Sequence, residues 1–248
     1  MKKWVFALAV RVMQRLPLAL RAQVVAALCE ATARTPGRER RLAGLFAIAD
    51  IVDSAVDRGA TEYEGGIHPK HRLTQYHRFF CDRISANDRV LDIGCGHGEV
   101  ANSMAETGAN VTGVDLNPDK IRRAAARYTR PNLCFVVGDA TRALPDGTYD
   151  VVVLSNVLEH LDDRVGTLLQ VRKATHAQRW LFRVPMINRD WRVPLRRELG
   201  LFYMSDATHS TEYTPASLRE ELTAAGLRIQ SEHIEWGEIW VEARTCGA

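Results

Sequence analysis

Residues 90–100 read VLDIGCGHGEV. A short apolar run stops at three glycines, each separated from the next by one residue. Arg89 to Ile93 reads as a buried strand. The glycines permit a sharp turn and close approach of backbone to a ligand. Val100 to about Thr107 then reads as a helix that Gly108 ends. Working outward, Asn110–Asp115 is a second strand, and Asn117-Pro118 opens a second helix with a cap and a first-turn proline. Leu133–Val137, Tyr149–Ser155 and Arg179–Val184 follow as strands, with a helix from Asp162 to about Ala174. Thr214 caps a helix over Pro215–Ala225, and Leu227–Ile234 and Glu238–Ala243 close the series. Strands alternating with helices predict an α/β, doubly wound, mostly parallel sheet. Its ligand crevice lies at the carboxyl ends of the first strands.

The composition of the whole chain is that of a globular protein. The chain has 248 residues, 46% hydrophobic and 25% charged, which excludes a disordered or fibrous chain. Surface scaling predicts roughly 11,000 Å² exposed in the folded state. Cys29, Cys81, Cys95, Cys134 and Cys246 are odd in number and widely spaced. They argue against a disulfide framework or structural zinc and for a reducing, cytoplasmic setting. A net charge of +3 is too balanced to demand nucleic acid.

Residues 1–64 form an N-terminal helical extension, and residues 65–248 the ligand-binding domain. MKKWVFALAVRVMQRLP reads better as an amphipathic helix than as a secretory leader. Arg11 and Arg15 interrupt the apolar run, and no small-residue cleavage site follows. Val5, Leu8, Val12 and Leu16 share one face, while Lys3, Arg11 and Arg15 share the other. Further helical patterns run from Leu18 to about Ala33 and from about Glu39 to Val56. Such a face packs on its own domain or a twin subunit more often than on a lipid surface. Peripheral membrane contact through residues 1–17 and a homodimer both stay open.

The glycine turn carries Asp92 immediately before its first strand-ending residues, where a diphosphate would be repelled. Its spacing is G-x-G-x-G, not the dinucleotide G-x-G-x-x-G. A phosphate-free cofactor with a cationic amino group suits that acidic rim. Asp115, ending the second strand, can accept both hydroxyls of an adenosine ribose. Asp139, after the third strand, can accept the adenine amine.

As a set, VLDIGCGHGEV (90–100), VTGVDLNP (111–118), VVGDATRALP (136–145) and YDVVVLSNVLEHL (149–161) resemble the class I S-adenosylmethionine (SAM) methyltransferases. The resemblance covers roughly residues 68–245. It implies a Rossmann-like seven-stranded sheet with the last strand antiparallel, and SAM as cofactor. It implies a cofactor site of Arg72, Asp92, Gly94, Cys95, Gly96, Asp115, Leu116, Asp139, Ala140, Ser155 and Asn156. Gly94 and Gly96 would lie near the methionine part, and Ser155 and Asn156 on the sulfonium side. GGIHPKHRLTQYHRFF (65–80) resembles the segment preceding the sheet in ubiquinone-biosynthesis O-methyltransferases. There a basic residue, by position Arg72, meets the SAM carboxylate. His68, His71 and His77 in that stretch are either packing residues or part of a flap.

Methyl transfer to a hydroxyl needs in-line placement and a base. Glu159-His160 directly follows the fourth strand, and a near-neutral histidine suits the base. Residues 185–214 are long for an α/β loop and suit a lid over an acceptor; they include His209. The family's divalent-ion motif is E-x-x-E-H plus a later ligand. Here Asn156 stands in the first glutamate's place, followed by Glu159, His160 and His209. A metal-free pair, His160 and His209, with Glu159 beside it, is the expectation. The predicted activity is SAM-dependent methylation, at oxygen, of a small-molecule, glycan or lipid-linked acceptor. The alternatives are an RNA 2′-O-type methyltransferase with a divalent metal and a nicotinamide-dependent oxidoreductase.

Overall fold

The computed structural model describes residues 2–246. Met1, at the head of the expected amphipathic face, and Gly247 and Ala248, at the end of the expected ligand-binding domain, lie outside them. The chain divides into two compact units, Met1–Pro69 and Lys70–Ala248, against an expected division after residue 64.

The N-terminal unit consists of α1 (Lys2–Gln14), α2 (Leu18–Ala33) and α3 (Arg38–Tyr63). The helix α1 stops short of Pro17, because a proline disfavours helical backbone at the residue before it. Arg21 then covers its last carbonyls, donating to Gln14 O at 2.7 Å and Leu16 O at 2.8 Å. The helix α3 runs seven residues beyond the expected end at Val56. That last part shows no apolar period and is held by local bonds such as Thr61 Oγ1 to Asp57 O, 2.9 Å. Among the described side chains of this unit only Phe46 is buried. Trp4, Phe6 and Leu18 are 70%, 72% and 78% exposed. Within their own unit these three helices bury almost nothing.

The second unit opens with α4 (Lys70–Leu73) and α5 (Tyr76–Cys81). It continues β1 (Arg89–Ile93), α6 (Glu99–Glu106), β2 (Asn110–Asp115), α7 (Pro118–Arg127), β3 (Leu133–Val137) and β4 (Val151–Ser155). A 3-10 turn (Leu158–His160) leads to α8 (Arg164–Thr175), β5 (Arg179–Pro185), α9 (Arg192–Glu198), α10 (Pro215–Ala224), β6 (Leu227–Glu235) and β7 (Glu238–Thr245). The seven strands lie in the order β3-β2-β1-β4-β5-β7-β6. All pairings are parallel except those of β7, which is antiparallel to both β5 and β6. The expected doubly wound, Rossmann-like sheet with its last strand antiparallel is what forms.

Side-chain alternation splits the core between the two faces. Leu91, Leu154 and Phe182 pack with Leu168, Leu218 and Leu222 on one face. Val90, Val153 and Leu181 pack with Phe80 and Met104 on the other. The central strands are buried on both faces, so they read as continuous apolar runs. The chain winds outward in opposite directions from β1 and β4. Their carboxyl ends therefore splay apart, and the crevice opens there.

Two helix starts that aim the crevice loops follow capping chemistry. Asn117 accepts from Asp119 N (2.9 Å) and Lys120 N (3.2 Å) ahead of Pro118. Thr214 and Ser217 form a reciprocal capping box ahead of Pro215. The long segment expected over residues 185–214 contains α9. A parallel bridge between Met186 and Tyr213 brings its two ends together.

Candidate active site

A cavity of about 390 Å³ sits at the carboxyl ends of β1 to β4. Of the residues expected to bind the cofactor, Gly94, Asp115, Leu116, Asp139, Ala140 and Asn156 line it. Asp92, Cys95, Gly96 and Ser155 stand behind or beside that lining, and Arg72 lies in α4. His160, from the 3-10 turn, and Thr208, from the lid, complete the wall.

The glycine turn is built for this wall. Gly94, Gly96 and Gly98 have φ of +69°, +58° and +84°, where only glycine is unstrained. A Cβ on Gly94 would lie 2.5 Å from Val157 Cγ2, whereas one on Gly96 would meet nothing within 4 Å. The first glycine thus seats the turn against the loop after β4, and the second leaves open space.

Asp115 is buried and already holds the turn in place. One oxygen accepts from Gly96 N at 3.0 Å and the other from Asn117 N at 2.8 Å. A carboxylate offers about four acceptor positions, so room remains for two ribose hydroxyls. Lys120, which sequence reading passed over, also lines the cavity and sets its Nζ 4.0 Å from Asp115. Asp139 accepts from Thr141 N (3.0 Å) and Thr141 Oγ1 (2.6 Å), and those bonds lower its pKa. Asp92 is 1% exposed, and its Oδ2 has no hydrogen-bond partner. Burial first, and then the charge of Asp115, push its carboxyl up to about 8. A buried acid held in that state is poised to receive a cation.

The three expected catalytic side chains come together. Ligand atoms of Glu159, His160 and His209 all lie within 4.8 Å of one another. The backbone explains why: Glu159 O accepts from Ser210 N at 2.7 Å, pinning the lid to the turn after β4. The rings of His160 and His209 meet edge to face, 4.7 Å between centroids. His160 Nδ1 is 3.0 Å from Thr208 Oγ1. Burial, then His209, lower the His160 pKa, so the ring is neutral and able to take a proton near pH 7. Glu159 is fully buried, and neither carboxylate oxygen has a hydrogen-bond partner; the same is true of Asn156 Oδ1. Burial raises the Glu159 carboxyl to about 8. Orphaned oxygens beside two imidazoles are a donor set that fits a divalent cation.

The histidines upstream of the sheet separate. His68 faces Asp57 within the N-terminal unit at 3.5 Å. His71 and His77 lie 2.9 Å apart, and Tyr76 OH is 2.8 Å from His71. His77 also reaches Ser103 Oγ at 2.8 Å; burial and Arg183 lower its pKa to about 4. Sequence reading missed Arg183 altogether. It is 5% exposed, stacks 3.7 Å over the Tyr76 ring and forms a two-bond pair with Glu238. Its partners are remote in sequence, so no local pattern announces it. Glu212 was expected only as one of the polar residues of the lid; its pairing with His209, three residues away, was not drawn from the sequence.

A family model described as a methyltransferase domain matches residues 67–232. The ubiquinone biosynthesis O-methyltransferase of Chromobacterium violaceum is 30% identical over 178 residues, 66% of this chain and 75% of that one. The enzyme of that name from Nitrosospira multiformis is 31% identical, over 65% of this chain and 72% of its own. That from Albidiferax ferrireducens is 32% identical over 128 residues; there the match spans about half the relative's length, 51%. Two solved structures share the fold at 18% identity. A Haloferax volcanii methyltransferase, solved with the activator Trm112, has a TM-score of 0.59 over 78% of this chain and 95% of its own. The magnesium protoporphyrin IX methyltransferase of Synechocystis, with bound S-adenosylhomocysteine, has 0.56 over 69% and 80%. These matches leave the nicotinamide reading without support, and the chain belongs to the SAM-dependent methyltransferases.

Proposed function

We propose that this enzyme transfers the SAM methyl group to a hydroxyl of a small-molecule, glycan or lipid-linked acceptor held beneath residues 185–214. The observation that carries this reading is the convergence of Glu159, His160 and His209 at the cavity wall. The relatives named for O-methylation support oxygen as the accepting atom. SAM lies with its ribose on Asp115, its adenine by Asp139 and its methionine part over the glycine turn. An imidazole, His160 or His209, would take the hydroxyl proton as the acceptor oxygen bonds to the methyl carbon and the methyl–sulfur bond breaks, with S-adenosylhomocysteine as the leaving group. The other orients it. Arg72 and Ser155 belong to the methionine and sulfonium side.

The test is S-adenosylhomocysteine release across a panel of hydroxyl acceptors, with RNA as the counter-acceptor. His160→Ala and His209→Ala should each lower turnover ~100-fold or more while SAM binding stays unchanged. Full activity in both variants would remove the base from this site.

A second reading rests on the orphaned oxygens of Glu159 and Asn156. Glu159, His160 and His209, with Asn156 beside them, would hold a divalent ion. The two imidazoles of such a set suit zinc better than magnesium. Such an ion supplies Lewis-acid activation of the acceptor oxygen. Metal analysis of the purified protein, with Glu159→Gln as control, separates the two readings.

The same proposal extends to location: residues 1–17 make peripheral contact with an anionic lipid surface. Trp4, Phe6 and Leu8 are exposed on α1. No acidic residue precedes Glu30, whereas Lys3, Arg11, Arg15 and Arg21 are basic. No helix among the described residues is long and apolar enough to cross a membrane.

A further inference from the structure

The geometry points to Glu212 as a positioning residue that fixes which nitrogen of His209 carries the proton, and ties that choice to the folding of the lid. This inference rests on the proposed role of His209.

Glu212 has a side chain 0% exposed. Every group around its carboxylate is a donor. Arg189 Nη1 reaches Oε2. Ser205 N, and Ser205 Oγ at 2.7 Å, reach Oε1. The remaining neighbour of Oε1 is His209 Nδ1, at 3.1 Å. A carboxylate met by donors on both oxygens, one of them a guanidinium, is held in its ionised form. An ionised carboxylate accepts and cannot donate. His209 Nδ1 must therefore carry a hydrogen, which leaves the lone pair on Nε2. The His209 side chain is 7% exposed and packs edge-on to His160, so the ring has no freedom to turn and exchange its nitrogens.

The same carboxylate ties separate stretches of the lid. Arg189 also donates to Met186 O at 3.2 Å and Tyr203 O at 3.1 Å. Residues 186, 189, 203, 205 and 209 thus converge on one buried charge. The tautomer of His209 is set only when the lid is folded, which links acceptor enclosure to readiness of the base.

Glu212→Gln is the informative change. Its amide NH₂ must face either Arg189, a donor against a donor, or the Ser205 and His209 side. In the second orientation it donates to Nδ1 and moves the histidine hydrogen to Nε2. The experiment records long-range ¹H–¹⁵N correlations of histidine-labelled full-length protein, alongside steady-state kinetics with the acceptor found in the panel above. The expected result is an Nδ1–H signal for His209 in the wild type and loss of it in Glu212→Gln. Turnover falls at least ~10-fold, and the KM for SAM stays within about twofold. Glu212→Asp, which keeps the charge, restores the Nδ1–H signal and part of the turnover even if it lowers the melting temperature. Retention of the Nδ1–H signal and wild-type turnover in Glu212→Gln overturns the inference. If instead His209→Ala is fully active while Glu212→Gln still moves the tautomer, the base assignment fails and the positioning role stands.

Discussion

Replacing Asp92 with asparagine should make the cofactor-free enzyme more stable at pH 7, where the buried carboxyl keeps its proton in the fold. The carboxyl is 1% exposed and titrates at about 8 in the fold, against an ordinary value of 3.8. At pH 7 an unfolded chain has released this proton and the folded chain retains it. The 3.2 units between 3.8 and pH 7, at about 1.4 kcal/mol each, set a ceiling of about 4 kcal/mol. The new amide NH₂ will find no ready acceptor, at a cost of about 1–3 kcal/mol. A net gain of about 1–3 kcal/mol remains, which for a chain of this size raises the melting temperature by about 3–10 °C. The sign also fixes the pH window. A carboxyl whose folded pKa exceeds its unfolded one contributes most below pH 4, and that contribution is lost as pH rises from about 4 to about 8. Asparagine has no such slope, so the advantage of the variant should grow through that range and reverse below it, where only the cost of the unpaired amide is left. SAM reverses the balance, because its ammonium and sulfonium charges favour ionised Asp92. Wild-type SAM affinity should climb toward pH 8, and the asparagine variant should bind weakly without that climb. Thermal melts of cofactor-free protein from pH 4 to pH 8, with SAM titrations at each pH, make the measurement. A stability difference independent of pH, or an asparagine variant less stable than wild type at pH 8, would refute the argument.

Asp115→Ala should weaken SAM binding by ~2–4 kcal/mol, roughly 30- to 1000-fold, through loss of two charge-assisted hydrogen bonds; calorimetric titration decides it, and an unchanged Kd removes the ribose from this carboxylate. Gly94→Ala should destabilise the fold by ~1–3 kcal/mol, because a positive φ and a Val157 methyl at 2.5 Å leave no place for a Cβ; a denaturant midpoint equal to wild type would contradict it. Trp4→Ala/Phe6→Ala should lower recovery with anionic vesicles in flotation, with neutral vesicles as the control, while turnover of a water-soluble acceptor stays unchanged. Equal recovery with both lipid types, or with both proteins, would count against membrane contact, and a concentration-dependent dimer would identify a twin chain as the occupant of that face.

The sheet was legible where local chemistry and global fold agree. The strands β1 and β2 begin and end where the apolar runs meet glycine, Asn-Pro or aspartate, because a strand buried on both faces leaves polar residues only at its ends; the edge strand β3 is equally apolar although it is largely exposed, and Gly138 marks its end. The helix α9 was not legible. Arg192 to Glu198 carries Pro194 and mostly charge, and it looks like loop until Val193 is seen buried. The length of α3 was hidden for the opposite reason. Its last turns touch no core, so no periodicity marks them. The crevice acids could be read from their places at strand ends. Arg183 with Glu238, and Glu212 with Arg189, could not, since each pair is set by tertiary approach across the chain. The low burial of the first three helices was equally invisible, because amphipathic spacing says which side is apolar and not whether anything covers it.

The bridge between Met186 and Tyr213, with the bond from Ser210 to the Glu159 carbonyl, has an evolutionary consequence. Both feet of the covering loop are nailed down, and the histidine stands on one of the feet. The span between Arg189, which holds the Glu212 carboxylate, and Tyr203, whose carbonyl accepts from Arg189, is free to lengthen, shorten or change character without disturbing the ring. Descendants of this scaffold would therefore be able to exchange one acceptor for another by rewriting residues 190–202 alone, inheriting the chemistry intact.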